Sequence, residues 1–471
     1  MKRSPRCGKQ NMEYTALIAR QRAFFRSGQT LDVNHRRQSL RALLEAIDSS
    51  EQILLDALHA DLRKSPHDGF ASELGMVTGE IRHALKHLSS WTRPQKIRES
   101  LMAWPSSSCI RPEPMGVALI IGPWNYPLQL LLGPLVGAIA AGNCAVMKAS
   151  EFAPHTAAAI SKLIGKIFPA EFVAVVEGDA SVAAALLGEK FDKIFFTGST
   201  RVGREVMAAA AKHLTPVTLE LGGKCPAIVC ADANIEITAR RIVWGKFLNA
   251  GQTCVAPNHV WVDRKIEREL TSAIVKAIEA FFGKDTQQSA SYGRIINRRH
   301  FDRLSALLDG AHIECGGARD ADDLYLAPTV VSRIADDAPL LAEEIFGPIL
   351  PLRVFDCLDE VIANERQQAT PLAMYAFTND RKIQDRLLNE IRSGGACIND
   401  TIMHLVGHQL PFGGLGESGM GASHGKASFD AFSHRRSIMR RPFKPDPAMR
   451  YPPPRVGFET FKRILRFFGA A

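Results

Sequence analysis

Gly251-Gln252-Thr253-Cys254 sets a cysteine in a small, polar frame that opens on a glycine, the setting of a reactive thiol rather than a core one. Cysteine is the strongest neutral-pH nucleophile among side chains, and only its thiolate attacks. Thirty-four residues upstream, Glu220-Leu221-Gly222-Gly223-Lys224 places an acid before paired glycines where a strand should pass into a loop. A carboxylate there can take a proton from the thiol or from a water beside it. The separation is too long for a local contact, so a fold must join the two. Cys7, Cys109, Cys144, Cys225, Cys230, Cys315, Cys357 and Cys397 lack such a frame and read as small hydrophobes.

Five other segments carry possible chemistry. Pro123-Trp124-Asn125-Tyr126-Pro127 is stiffened by proline at both ends, and a rigid Asn125 amide suits a developing oxyanion; an aromatic turn is the plainer reading. Phe195 to Gly203 runs from an expected strand through Gly198-Ser199 into an expected helix. That context suits a phosphate, although the middle glycine of a dinucleotide fingerprint is missing and a tight turn explains the glycines equally well. Lys148 and Glu151, at another strand end, either hold ribose hydroxyls or form a surface ion pair. Glu343-Glu344-Ile345-Phe346-Gly347-Pro348 sets acids beside an aromatic ring at a turn, and Pro411-Phe412-Gly413-Gly414 holds a ring that could line a pocket.

The elements that must position these residues follow from periodicity. Residues 12–93 repeat apolar positions at three- and four-residue steps (Leu40, Leu43, Leu44, Ile47) and form a helical layer. Pro94, Pro105, Pro112 and Pro114 then predict an extended or looped stretch. From 116 to 221, apolar runs at Val117–Ile121, Ala145–Met147, Val173–Val176, Lys193–Phe196 and Thr218–Leu221 alternate with helices over 128–141, 154–167 and 201–212. This rhythm means a doubly wound parallel sheet. A second α/β unit follows, with runs at Ala227–Val229, His259–Val262 and Ala396–Ile398; beyond 425 the regularity fades.

A chain of 471 residues exceeds what one core serves, so two or three domains are expected. No apolar run reaches the length of a membrane span, and no apolar core follows Lys2, Arg3, Arg6 and Lys9, so a secretory signal is not expected. Nine cysteines without a C-x-x-C pair argue against a disulfide framework or a structural metal, and the reducing cytoplasm suits a working thiol. The net charge of +9 is concentrated after residue 434 with no interleaved nucleic-acid motif, which argues against a nucleic-acid partner. Near the end, Phe458, Phe461, Leu465 and Phe468 lie at helical spacing among Lys462, Arg463 and Arg466. Such a basic amphipathic helix docks on its own subunit or lies on an anionic membrane; its shortness favours docking.

Together and in this order, the segments resemble the NAD(P)-dependent aldehyde dehydrogenase superfamily from about residue 15 to about 440. Gly251 to Pro257, Ser418-Gly419-Met420-Gly421, His424-Gly425-Lys426 and Phe432-Ser433-His434-Arg435 are similar to its class 3 branch. The N-terminal helices, Asn399-Asp400-Thr401 and Tyr451-Pro452-Pro453 look like bacterial coniferyl-aldehyde dehydrogenases. The resemblance implies an NAD(P)-binding domain over 1–95 and 116–221 and a catalytic domain over 222–423. It also implies bridging arms over 96–115 and 424–445 that pair subunits into a homodimer, and a basic tail over 446–471.

By the same resemblance, Cys254 is the nucleophile, Glu220 the base, and Asn125 with the Cys254 N–H the oxyanion hole. Lys148 and Glu151 hold the adenosine ribose, Gly198, Ser199 and Gly203 form the pyrophosphate turn, and Glu344 and Phe346 meet the nicotinamide ribose and ring. Tyr126, Thr253 and Phe412 line the aldehyde tunnel. NAD is the expected cofactor, with NADP open because Ala149 replaces a usual proline beside Lys148. Cys225 stands for a usual serine, and Asn258-His259 for a usual Asp-Tyr pair. The implied reaction is oxidation of an aromatic, phenylpropenal or medium-chain aldehyde to its acid. The competitors are an acyl transferase to coenzyme A, which often lacks the base that Glu220 supplies, and a non-catalytic binding protein on the same fold. A base or positive field near Cys254 is expected, because a free thiol titrates at about 8.5.

Overall fold

The computed structural model describes residues 5–99, 103–446, 451–453 and 455–467. The apolar runs of the first half become five parallel strands, Val173–Val176, Cys144–Lys148, Val117–Ile121, Lys193–Thr197 and Val217–Glu220, neighbours in that order. Three of them, Val117–Ile121, Cys144–Lys148 and Lys193–Thr197, are buried at every position, as strands covered by helices on both faces must be. Helices Gln129–Ala141, Pro154–Ile167 and Thr200–Ala211 make the crossovers, and the N-terminal helices pack on the same core through Leu40, Leu43, Leu54 and Ile81. Strand order turns back between Val117–Ile121 and Lys193–Thr197, opening a crevice at the strands' carboxyl ends.

One element of this sheet comes from far along the chain. Gly419–Met420 pairs antiparallel with Val217–Glu220, setting Gly419 opposite Glu220. A Cβ on Gly419 would stand 2.1 Å from the Leu219 carbonyl oxygen, so only glycine permits this approach. The second sheet has seven strands, in the order His312–Cys315, Thr329–Ser332, Ile349–Phe355, His259–Asp263, Pro226–Val229, Ala373–Phe377 and Gly395–Ile398. All pairings in it are parallel except that of His312–Cys315.

The stretches beyond the two sheets differ in part from expectation. Ser107–Pro114 and Ser433–Arg440 pair antiparallel over eight residue pairs, with Gln95–Ile97 on the other edge of Ser107–Pro114. The regularity expected to fade after 425 instead continues as helix Lys426–Ala431 and this long strand. The expected arm 96–115 and tail 446–471 each include residues outside those described. The helix Phe458–Phe467 forms, but Phe458 and Phe467 are 70% and 82% exposed rather than buried on the body of their own chain; Phe468 lies outside the described residues.

Asn143 joins three of these parts. Its Oδ1 accepts the Gly116 N–H at 2.8 Å, and its Nδ2 donates to the carbonyls of Phe432 at 2.9 Å and Ala138 at 3.3 Å. Asn143→Ala strands the buried Gly116 N–H and removes one of two donors to the Phe432 carbonyl, so it should cost about 1–3 kcal/mol. Urea unfolding measures this; a loss below about 0.5 kcal/mol would mean that these groups find other partners.

Candidate active site

Cys254 follows a strained turn. Helix Ile235–Phe247 ends, and Asn249, Ala250 and Gly251 then run left-handed with φ of 52°, 51° and 75°. Two non-glycine residues in that region are costly unless surrounding contacts hold them. The contacts are present. Asn249 Nδ2 donates to the Asn125 carbonyl at 2.8 Å. Gln252 Nε2 donates to the carbonyls of Asn249 and Arg294, and its Oε1 accepts the Ile296 N–H. A Cβ on Gly251 would stand 2.2 Å from the Gly347 carbonyl oxygen, which presses the cysteine turn onto the Glu344–Gly347 loop.

The oxyanion candidate is bound to this turn. Asn125 is buried, and its Nδ2 donates to the Gln252 carbonyl at 3.0 Å, leaving its second amide hydrogen for a ligand. Tyr126 and Thr253 share a hydroxyl hydrogen bond of 2.6 Å. Trp124 packs edge-on against Phe346 at 5.3 Å, joining the loop to the Glu344 segment.

Cys254 and Glu220 line one cavity, so the fold brings together what the sequence separates. Its wall includes Val77, Leu130, Pro134, Phe195 and Phe412, with Glu80, His408, Ser423 and His424 as its polar part. Of the three expected tunnel residues, Phe412 lies in this wall, stacked on His424 at 5.3 Å; Tyr126 and Thr253 are buried beside it against each other. The polar wall residues carried no chemical signature in the sequence. Glu80 accepts the Gly425 N–H at 2.6 Å and contacts His408 Nδ1 at 3.0 Å, so a helix of the N-terminal layer fixes the turn that carries Ser423.

Glu220 ends its strand inside the core. Burial pushes its carboxyl up to about 8, opposed by the Ser423 hydroxyl, which donates to Oε1 at 3.0 Å. Its Oε2 is enclosed without a partner, poised to take a proton. The Cys254 thiol is also raised, first by burial, then by the carboxylate of Glu344, the thiol of Cys225 and the carboxylate of Glu220. Of the base or positive field expected beside the thiol, the charged groups that shift it are acids, so a base must remove its proton. Cys225 is buried and donates to the Cys254 carbonyl at 3.5 Å while accepting the Ala373 N–H; burial raises its thiol to about 12, so it is a spacer rather than a second nucleophile.

The cofactor candidates lie along the crevice. Lys148 Nζ meets Glu151 Oε2 at 2.8 Å, at the end of its strand. Ser199 caps helix Thr200–Ala211, and Gly203 is buried so closely that a Cβ would meet Leu221 at 2.7 Å. Gly198 donates its N–H to the Glu220 carbonyl at 3.0 Å, so the strand-end turn holds Glu220 while the helix start keeps its first amides for an anion. Glu344 leans on the Gly222 backbone. Burial raises its carboxyl to about 8, and its Oε1 is enclosed without a partner, an acceptor that suits a sugar hydroxyl. Phe346 holds φ at 48°, and Asn258 Oδ1 accepts the Ile345 N–H at 2.9 Å, so the Asn258 that departs from the resemblance keeps this loop in place. These residues fit a dinucleotide.

Comparison with known proteins accords with this geometry. A family model described as the aldehyde dehydrogenase family matches residues 2–438. The chain is 43% identical over 447 residues to 4,4'-diaponeurosporen-aldehyde dehydrogenase of Staphylococcus aureus, covering 94% of this chain and 97% of that one. It is 43% identical over 441 residues to the dimeric NADP-preferring aldehyde dehydrogenase of Mus musculus, covering 93% and 97%. Among solved structures, the substrate-bound state of Staphylococcus aureus AldH superposes with a TM-score of 0.94 at 43% identity over 96% of this chain and 99% of that chain. The chain belongs to the aldehyde dehydrogenase family, among its class 3 members.

Proposed function

We propose that this protein oxidises an apolar aldehyde to the carboxylic acid with NAD(P), through a thioester on Cys254. The observation that carries the reading is the arrangement of Cys254 and Glu220 on one cavity, with the Asn125 amide hydrogen-bonded to the cysteine turn. Glu220, unprotonated, takes the thiol proton on its free Oε2. The sulfur adds to the carbonyl carbon, and the oxygen becomes an alkoxide that accepts the spare Asn125 N–H and the Cys254 N–H. Bound NAD(P) supplies the acceptor for the hydride that the carbon must lose. Glu220 releases the thiol proton to solvent and, again unprotonated, draws a proton from water; the hydroxide adds to the thioester, and the thiolate leaves. An enclosed base beside the thioester favours hydrolysis over transfer to coenzyme A.

Lys148 and Glu151 would hold the adenosine ribose, Ser199 and the turn from Gly198 to Gly203 the pyrophosphate, and Glu344 and Phe346 the nicotinamide end. NADP use is supported by the name of the mouse relative. The apolar wall supports an aromatic substrate such as coniferaldehyde, or a medium-chain aliphatic one. We assign the six-stranded unit to the cofactor and the seven-stranded unit to the acyl chemistry. The antiparallel arm is assigned to pairing in a homodimer, as the mouse relative is named dimeric. A reducing cytoplasm suits the thiol. Among the described residues no helix is long and apolar enough to cross a membrane.

Coniferaldehyde, benzaldehyde, hexanal and octanal, each with NAD and with NADP, should yield reduced cofactor and acid, and Cys254→Ala should abolish both. Asn125→Ala should lower kcat about 10²- to 10³-fold with cofactor binding retained. Cofactor binding without reduction by any aldehyde would refute the reaction.

The pH dependence follows from Glu220. The base works only unprotonated, so kcat limited by deacylation should rise through about pH 8. The Ser423 hydroxyl favours the charged form. Ser423→Ala should therefore move this limb to higher pH by about one unit, and Ser423→Thr should restore it. Superimposable pH profiles for wild type and Ser423→Ala would show that the contact does not tune the base.

A further inference from the structure

Lys64 and Glu73 form an ion pair of 2.6 Å with no exposed side-chain surface on either partner. Removing two charges from water is expensive, and a well-packed hydrophobic pair is often at least as stable. What a hydrophobic pair cannot do is donate and accept hydrogen bonds, and this one spends its remaining bonds on a single loop. The Lys64 ammonium donates to the Asn125 carbonyl at 3.1 Å and lies 3.9 Å from the centre of the Tyr126 ring. Glu73 Oε2 accepts the N–H groups of Leu128 at 2.9 Å and Gln129 at 3.1 Å.

Those amides begin helix Gln129–Ala141, whose own N-cap position, Leu128, makes no side-chain cap. Glu73 thus caps that helix from another segment, with a negative charge at its positive end. It is aimed there from the π-helical turn Phe70–Leu74, a local widening that often marks functional sites. Between the two grips, the loop bearing Asn125 is held at its carbonyl and at its exit into the helix. On its other side, Asn249 binds the same carbonyl and Gln252 binds the side-chain amide.

We propose that the buried Lys64–Glu73 pair is a positioning device for the oxyanion donor, fixing the Asn125 peptide so that its free amide hydrogen meets the alkoxide on Cys254. The proposal rests on the reaction proposed above. Neither residue touches the substrate; both act through Asn125.

The test is a double-mutant cycle in the full-length enzyme. Lys64→Met is made alone and with Asn125→Ala, and kcat is expressed per iodoacetamide-reactive Cys254, so that misfolded protein is not counted. Lys64→Met alone should lower kcat about 10- to 100-fold with the cofactor KM unchanged, and Lys64→Arg should recover part of the loss. In the Asn125→Ala background the same substitution should cost less than about 3-fold, because the donor it positions is already gone. Equal losses in both backgrounds, or a loss confined to the fraction of reactive thiol, would overturn the proposal and leave a purely structural pair. Should Lys64→Met fail to fold, Glu73→Gln carries the same comparison. A wild-type enzyme inert toward every aldehyde would instead refute the reaction itself.

Discussion

The site depends on a set of hydrogen bonds between two loops that belong to different sheets. The cysteine turn leaves the second α/β unit, and the Asn125 loop leaves the first. Each holds the other: Asn249 binds the Asn125 carbonyl, Asn125 binds the Gln252 carbonyl, and Tyr126 binds Thr253. The proposed nucleophile and its proposed oxyanion donor are therefore placed relative to each other directly, rather than through the tolerance of two separately packed domains. Misplacement by about 1 Å can cost two orders of magnitude in rate, so a direct tie is worth more to catalysis than to stability.

Electrostatics in the resting site run against the simple picture of an activated thiolate. Cys254, Glu220 and Glu344 are all shifted toward their neutral forms, chiefly by burial. The environment that makes the thiol a poor acid also makes Glu220 a stronger base than a solvated carboxylate, and the two share one cavity. Proton transfer from sulfur to carboxylate then moves charge within the site instead of creating it. Ser423 holds one carboxylate oxygen and leaves the other bare, which gives the proton a defined destination.

Much of this was legible in the sequence because it rests on local pattern. Strands Val117–Ile121 and Cys144–Lys148 appear where their apolar runs predict, as does the helix that connects them, because a strand buried on both faces needs an unbroken apolar run. The glycine frames around Cys254 and Glu220 mark turns that only glycine permits. Strands such as Thr329–Ser332 and Ala373–Phe377 are short segments between loops, with little periodicity to set them apart. Glu80, Ser423 and His408 could not be read at all. Their meaning lies in contacts across 203 to 345 residues, and a glutamate on an amphipathic helix looks like any other charge facing solvent. Lys64 and Glu73 are nine residues apart, a spacing at which a lysine and an acid on a helical layer read as two surface charges.

The buried pair also changes what the N-terminal helical layer is for. By sequence it belongs with the cofactor sheet, and it does pack on that core through Leu54 and Ile81. Yet Lys64 and Glu73 reach the oxyanion loop, Glu80 reaches the turn that carries Ser423, and the Leu62 carbonyl accepts the N–H of Arg294, whose own carbonyl accepts from Gln252. Lys64, Glu73 and Glu80 thus bind the loops that carry Asn125 and Ser423 directly, and Leu62 reaches the Cys254 turn through Arg294. The left-handed run from Asn249 to Gly251 is tenable because those loops are over-determined in this way. The proposed catalytic geometry across the two sheets is set by a third element, packed on the first and hydrogen-bonded to a loop of the second, and its polar contacts, more than its apolar ones, explain why it carries buried charge.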